Sequence, residues 1–224
     1  MRNTITNYIR AGYPGLFIVS HEEARIEAEI KAAASALKYG LFAWSVTAGL
    51  LDVNTGADKG AQDPLEAVQA IAGLPEACII LLRDFHVFLA DPNPILVRAL
   101  KEALAEAKTR GKCVAITGCR LTLPPELERE ITALEFTLPD KQQLGVVLDS
   151  ISQSAKLKKP AHDMRDAILD AAMGLTTTEA ETHSPCPWSR ARPLLHQSWR
   201  GKRRTRSRRT EYSKYARPGS RWTA

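Results

Sequence analysis

Several features are scarce in this sequence, and each absence excludes a class of protein. The four cysteines form no CxxC pair and two of them lie in apolar runs, so neither a disulfide framework nor a zinc site is indicated. No apolar run reaches the roughly 18 residues that a membrane span needs. The first ten residues are polar rather than a signal sequence. We therefore expect a soluble, cytoplasmic protein without a membrane partner.

A glycine-rich phosphate-binding loop is also missing. Its pattern, GxxxxGK[ST], supplies backbone amides and a lysine for phosphate and a hydroxyl for Mg²⁺, and it occurs nowhere in the chain. The turn after the first predicted strand has Ser20, His21, Glu22 and Glu23 instead. The two carboxylates occupy the positive end of the following helix, so we expect a self-capped helix that repels nucleotides. A non-standard nucleotide site is the alternative.

Charge is distributed unevenly, and the balance changes at His183. Residues 183–224 contain 12 of the 31 Lys and Arg but only 1 of the 25 Asp and Glu. This segment therefore carries a net charge of +11, whereas residues 1–182 carry −5. It also has repeated prolines, three of the four tryptophans and no sustained periodicity. We expect residues 183–224 to be a disordered, Arg-rich tail.

Buried strands alternate with amphipathic helices over residues 1–140. The predicted strands are 15–20, 41–47, 78–82, 114–117 and 133–137. Ser20 and Glu23 have the spacing of a capping box at the start of the first helix, and 48–62 is predicted to be a polar loop. The alternation predicts a doubly wound α/β fold with a parallel, five-stranded sheet.

Helices follow the last strand. The periodicity predicts one over 141–152 and another over 161–173, and a third is expected to begin at Thr176, with Glu179 at capping-box spacing. The prolines after Thr182 predict that this third helix is interrupted.

Five segments together resemble the AAA ATPases, and most closely the N-terminal half of the ycf-type AAA proteins of cyanobacteria and plastids. The segments are YPGLFIVSHEE (13–23), WSVTAG (44–49), IILLRDFHVFL (79–89), LTLPPELEREITALEFTLPD (121–140) and AMGLTTTEA (172–180). The resemblance implies a P-loop NTPase-like fold in degenerate form, with ATP and Mg²⁺ bound by a following module rather than by this chain. It also implies a link to inorganic-carbon use.

The resemblance further implies three regions. They are a degenerate AAA-like α/β domain at 1–140, a partial helical lid at 141–182 and the tail at 183–224. The implied function is that of a non-catalytic scaffolding or regulatory module, with copies of itself or other AAA subunits as partners. An ATPase active in its own right is the alternative.

Three residues are similar in position to nucleotide-site residues of AAA enzymes. Asp84 ends a strand that is similar to a Walker B strand, where it would hold Mg²⁺ through water, but Phe85 stands where active enzymes carry the glutamate that polarises water. Thr117 matches the position that senses the γ-phosphate, and Arg129 matches an arginine finger. Each of these residues also has a plainer interpretation. Asp84 would make a structural hydrogen bond, Arg129 would lie on a solvated helix surface, and the nearby His86 would be an exposed loop residue.

The tail has two interpretations. We hypothesise that it arises from a frameshift, because charge, proline and tryptophan content all change at one point and an offset reading frame can encode a continuation of the lid. The alternative is a nucleic-acid-binding segment, in which a basic patch neutralises phosphates and aromatic rings stack on bases. The patch consists of Arg200, Lys202, Arg203, Arg204, Arg206, Arg208 and Arg209.

Overall fold

The computed structural model describes residues 2–91, 93–154, 156 and 160–183. The chain divides into two compact units, the first ending at Thr137 and the second beginning at Leu138. The first unit consists of α1 (Arg2–Arg10), β1 (Gly15–Val19), α2 (Glu23–Leu37), β2 (Gly40–Ser45), β3 (Gly49–Asp52), α3 (Pro64–Ala70), β4 (Cys78–Arg83), α4 (Pro94–Thr109), β5 (Cys113–Gly118) and β6 (Ile131–Glu135), with short 3-10 helices at Ile71–Gly73, Phe85–Val87 and Pro125–Leu127.

The strands form one sheet in the order β3-β2-β4-β5-β1-β6. All neighbouring strands are parallel except β2 and β3. One apolar cluster packs α1 and α2 against one face, and a second packs α3 and α4 against the other. The doubly wound α/β fold predicted from the sequence is confirmed.

The unbroken apolar strands follow from this layering. Along β1, Leu16 and Ile18 belong to the cluster with α1 and α2, whereas Phe17 belongs to the cluster with α3 and α4. All three side chains are fully buried. A strand covered on both faces has no position for a polar side chain, which is why its sequence does not alternate.

The sheet has six strands rather than the five predicted from the sequence. The additional strand, β3, lies within the segment predicted to be a polar loop and pairs antiparallel with β2, so the sheet is not wholly parallel. Leu50 is its one fully buried side chain. Gly49 supports the tight connection, since its φ is +69° and a Cβ there would lie 2.9 Å from the carbonyl oxygen of Gly60. A four-residue strand with one buried side chain leaves little periodic signal.

The second unit contains α5 (Lys141–Ser154), α6 (His162–Ala172) and α7 (Thr177–His183). Its small core includes Leu144, Leu148 and Leu169. The capping box of Thr176 and Glu179 is confirmed, because each backbone N–H donates to the other residue's side chain, at 3.0 and 3.2 Å. The third helix covers Thr177–His183, and the interruption expected from the prolines after it lies outside the described residues. The interpretation of this unit as a shortened lid stays a prediction.

Candidate functional site

The carboxyl ends of β1, β4 and β5 lie side by side, and three of the predicted site residues are found there. Thr117 in β5 is in register with Ile18 of β1 and with Arg83 of β4. The backbone N–H of Ser20 donates to the carbonyl oxygen of Gly118 at 2.9 Å. Asp84 follows β4 directly. In open α/β sheets this edge is where ligands bind.

The turn between β1 and α2 differs from its predicted form. Helix α2 begins at Glu23, and Glu22 at the N-cap makes no side-chain capping bond. The hydroxyl of Ser20 accepts from the backbone N–H of Glu22 at 3.0 Å, so the predicted capping box with Glu23 is wrong. A hydroxyl that closes a two-residue turn is no longer available to the third amide of the helix. His21 is exposed.

Glu22 is buried, and Arg25 contacts it. The guanidinium Nη1 lies 2.5 Å from Oε2 of Glu22, and Nη2 donates to the carbonyl oxygen of Thr137 at 2.8 Å. The same guanidinium lies 4.5 Å from the centre of the Phe136 ring. Arg25 thus connects the α2 N-terminus to the residues after β6. Arg25 is not among the residues predicted from the sequence, although its i+3 spacing from Glu22 on a helix indicates an ion pair.

A second charged group lies beside this turn. Arg83 at the end of β4 binds Glu27, and its Nε lies 3.5 Å from Oε1 of Glu23. Partial burial and the nearby carboxylates of Glu27 and Asp84 raise the pKa of Glu23. Hydrogen bonding to Glu27 raises the pKa of Arg83. Carboxylates therefore outnumber guanidiniums around the start of α2.

Asp84 has left-handed backbone, with φ +52°, and its side chain is 68% exposed. Its neighbour His86 is buried, with 5% of its surface exposed, so the interpretation as an exposed loop residue is wrong. The reason is the 3-10 helix after Asp84, which turns the imidazole toward the end of β5. Nε2 of His86 lies 3.7 Å from Sγ of Cys119.

Arg129 lies away from these residues. It is exposed and stands two residues before Ile131, where β6 begins. Because Gly15 at the start of β1 is in parallel register with Ile131, Arg129 is near the amino edge of the sheet. A five-residue strand spans about 15 Å. Within one chain, Arg129 is therefore not brought to the edge that carries Asp84 and Thr117.

The remaining predictions concern the tail, metals and membranes. The tail patch at 200–209 lies outside the described residues. Among the described residues, no group of three or more His, Cys, Asp or Glu side chains could hold a metal ion. Within the same part of the chain, no helix is long and apolar enough to span a bilayer.

We expect Arg25→Met to lower the free energy of unfolding by about 1–2 kcal/mol, because it leaves the buried Glu22 carboxylate without this guanidinium. Arg98→Met is the matched control, since Arg98 forms an exposed pair with Glu102 at 2.6 Å and such pairs contribute about 0–0.5 kcal/mol. Urea unfolding of both variants measures the difference. Equal losses in the two variants would show that the Arg25 pair is no stronger than a surface pair.

Comparison with known proteins shows what the chain is similar to. The N-terminal domain of the SpoVK-like AAA ATPases matches residues 1–136. The AAA domain-containing protein ycf46 of Guillardia theta is 29% identical over 171 residues, or 75% of this chain and 33% of that protein. The ycf46 protein of Trieres chinensis is 29% identical over 152 residues, or 66% of this chain and 30% of that protein. The chain spans about a third of the length of these curated relatives.

Solved structures support the fold. The AAA domain of FIGL-1 in complex with ADP has a TM-score of 0.54 at 15% identity, covering 80% of this chain and 62% of that one. A structure that describes katanin self-assembly has a TM-score of 0.52 at 14% identity, covering 76% of this chain and 55% of that one. At these identities the likeness shows an AAA-type α/β fold and nothing finer.

Proposed function

Because the chain belongs to the SpoVK-like AAA ATPases through its N-terminal domain, we propose that it is a non-catalytic AAA module. Its role would be to scaffold or regulate an ATPase module that follows it in a longer protein. The α2 N-terminus carries the proposal, because a buried carboxylate occupies the place where a nucleotide phosphate binds in a P-loop fold.

The charge at this place disfavours a triphosphate. Glu22 is 5% exposed and pairs with Arg25, while Glu23, Glu27 and Asp84 add further carboxylates within the same group of residues. An incoming phosphate would meet more carboxylates than guanidiniums, and repulsion by the buried Glu22 acts at reduced dielectric, where it is stronger than in water. The residues present at this edge do not fit ATP and Mg²⁺.

The residue after Asp84 supports the same proposal. Phe85 is fully buried, and its ring centre lies 5.5 Å from that of Trp44 and 5.8 Å from that of Phe88. It is part of the apolar core rather than a group directed at solvent. A water molecule near Asp84 would have no carboxylate at this position to act as a general base.

The proposal includes partners and location. Katanin, a structural neighbour, is described as self-assembling, and we extend this to copies of the present chain or to other AAA subunits. Arg129 is exposed and far from the edge of its own sheet that carries Asp84. Any nucleotide that it contacts would therefore be bound by a neighbouring subunit. The cytoplasmic location and the frameshift origin of the tail stay predictions.

Equilibrium titration of the full chain with a fluorescent ATP analogue and Mg²⁺ tests the proposal. We expect no saturable binding up to about 1 mM, which corresponds to a binding free energy weaker than about −4 kcal/mol. The titration is run at low salt and at high salt, because weak binding by the basic tail would be screened away. Micromolar binding that persists at high salt and is lost in Asp84→Ala would overturn the proposal.

A further inference from the structure

A cysteine and a histidine meet at the carboxyl end of β5. Cys119 follows β5 directly and is exposed, whereas His86 is buried in the 3-10 helix after β4. Their side chains are in contact, with 3.7 Å between Nε2 and Sγ. This thiol–imidazole pair plays no part in the proposed function.

The backbone of Gly118 fixes the position of the imidazole. A Cβ at Gly118 would lie 2.4 Å from Nδ1 and 2.7 Å from Cγ of His86. The ring therefore lies directly against the Cα of Gly118, with no room for a side chain between them. Because His86 is buried and the ring is held there, Nε2 stays directed toward Cys119.

Hydrogen bonding decides which ring nitrogen carries the proton. Nδ1 of His86 is buried and has no hydrogen-bond partner, and its distance of 3.9 Å from Oδ1 of Asp84 is too long for a hydrogen bond. Nδ1 has no partner in either tautomer, but a buried N–H without an acceptor is rarer in folded proteins than a buried acceptor without a donor. We therefore assign the proton of the neutral imidazole to Nε2, where it can be donated to the sulfur of Cys119.

We propose that Cys119 is a nucleophilic, oxidisable thiol whose thiolate accepts a hydrogen bond from Nε2–H of His86, and that its reactant is a small peroxide such as hydrogen peroxide. A hydrogen bond to an ionised group stabilises it more than a bond to a neutral one does. The thiolate is the form of cysteine that reacts with oxidants and electrophiles.

The other cysteines of the described part of the chain provide the contrast. Cys78 and Cys113 are buried. Burial raises the pKa of the Cys78 thiol to about 11 and that of Cys113 to about 12. Both are therefore protonated and inaccessible at neutral pH.

Three charged residues lie on the segments that carry His86 and Cys119. They are Arg83 and Asp84 at the end of β4 and Arg120 after Cys119.

The reaction balances as a two-electron transfer. The Cys119 thiolate attacks one peroxide oxygen, a sulfur–oxygen bond forms and the oxygen–oxygen bond breaks. Sulfur is oxidised to the sulfenic level, and the peroxide is reduced to hydroxide, which takes a proton from solvent and leaves as water. The product is a sulfenic acid that thiols can reduce again.

Labelling kinetics with iodoacetamide test the proposal in the full chain. Cys186→Ser is the parent for every measurement, so that this thiol outside the described residues does not contribute. We expect Cys119 in the folded parent to react about tenfold faster than in His86→Asn, as loss of one charge-assisted hydrogen bond implies. Val87→Asn changes an exposed neighbour of His86, 59% exposed, and should leave the rate unchanged. Equal rates in the parent and in folded His86→Asn would overturn the proposal.

A second measurement does not depend on a variant that folds. The parent is labelled in buffer and again in concentrated urea, where the pair is broken. Faster labelling of Cys119 in the folded chain supports the hydrogen-bonded thiolate, and an equal or slower rate overturns it. Treatment with hydrogen peroxide followed by a sulfenic-acid trap should then modify the Cys119 peptide before the Cys78 and Cys113 peptides. Because neither readout involves ATP, this result is independent of the nucleotide titration.

Discussion

Trp44→Ala should lower the free energy of unfolding by about 3–5 kcal/mol, as expected when a large aromatic side chain is removed from a core. Trp44 is fully buried in β2, and its ring centre lies 5.5 Å from that of Phe85 and 6.0 Å from that of Phe88. Its indole N–H also donates to the carbonyl oxygen of Ala61 at 2.8 Å. The substitution removes the ring contacts, leaves a cavity and removes the hydrogen bond from the indole N–H to the Ala61 carbonyl oxygen.

Urea unfolding followed by far-UV circular dichroism measures this effect, because the tail tryptophans complicate fluorescence. Val46→Ala is the control, since Val46 lies just after the same strand and is 55% exposed. We expect the control to change stability by no more than about 0.5 kcal/mol. A loss below about 1 kcal/mol for Trp44→Ala would contradict the packing of this core.

Gly15→Ala should cost about 2–3 kcal/mol, although an alanine normally stabilises a chain by reducing the freedom of its unfolded state. A Cβ at Gly15 would lie 2.8 Å from Cγ1 of Ile131, 2.9 Å from the carbonyl oxygen of Glu130 and 3.0 Å from Cδ2 of Leu104. The carbonyl belongs to the backbone leading into β6 and cannot move without disturbing the pairing of β1 with β6.

Gly73→Ala is the matched control for this substitution. Gly73 ends a 3-10 helix, and no heavy atom lies within 4 Å of the Cβ it would gain. We expect the control to be neutral within about 0.5 kcal/mol or slightly stabilising. Thermal unfolding of the two variants and the parent compares them directly, and equal midpoints would show that the approach of β6 to Gly15 is not tight.

The layered core could be predicted from the sequence because it has a periodic signal. Strands buried on both faces produce short unbroken apolar runs, and the structure places β1, β2, β4 and β5 within two residues of their predicted ends. The last strand, β6, is displaced as a whole by two residues toward the N-terminus, since it covers Ile131–Glu135 rather than 133–137. Edge strands such as β3 and β6 are covered less completely, so their boundaries depend on pairing that the local sequence does not record.

The candidate site was only partly predictable. Sequence order places Ser20, Asp84 and Thr117 at the carboxyl ends of predicted strands, and the structure brings these positions to one edge. The contacts made there by Arg25 and His86 depend on where a helix or a 3-10 turn directs a side chain. Arg25 meets a carbonyl 112 residues away, and no local pattern specifies such a partner.

The pairing of β1 has a consequence for how the chain acquires its structure during synthesis. This strand is near the N-terminus, yet its two neighbours are β5 and β6, about 100 residues or more along the chain. It therefore leaves the ribosome long before either partner, and the backbone N–H and C=O groups along its two edges have no strand to pair with until β5 and then β6 have been synthesised. Such distant pairing closes slowly and leaves a nascent chain open to aggregation. A chain that stopped before β6 would keep one side of β1 without a neighbour.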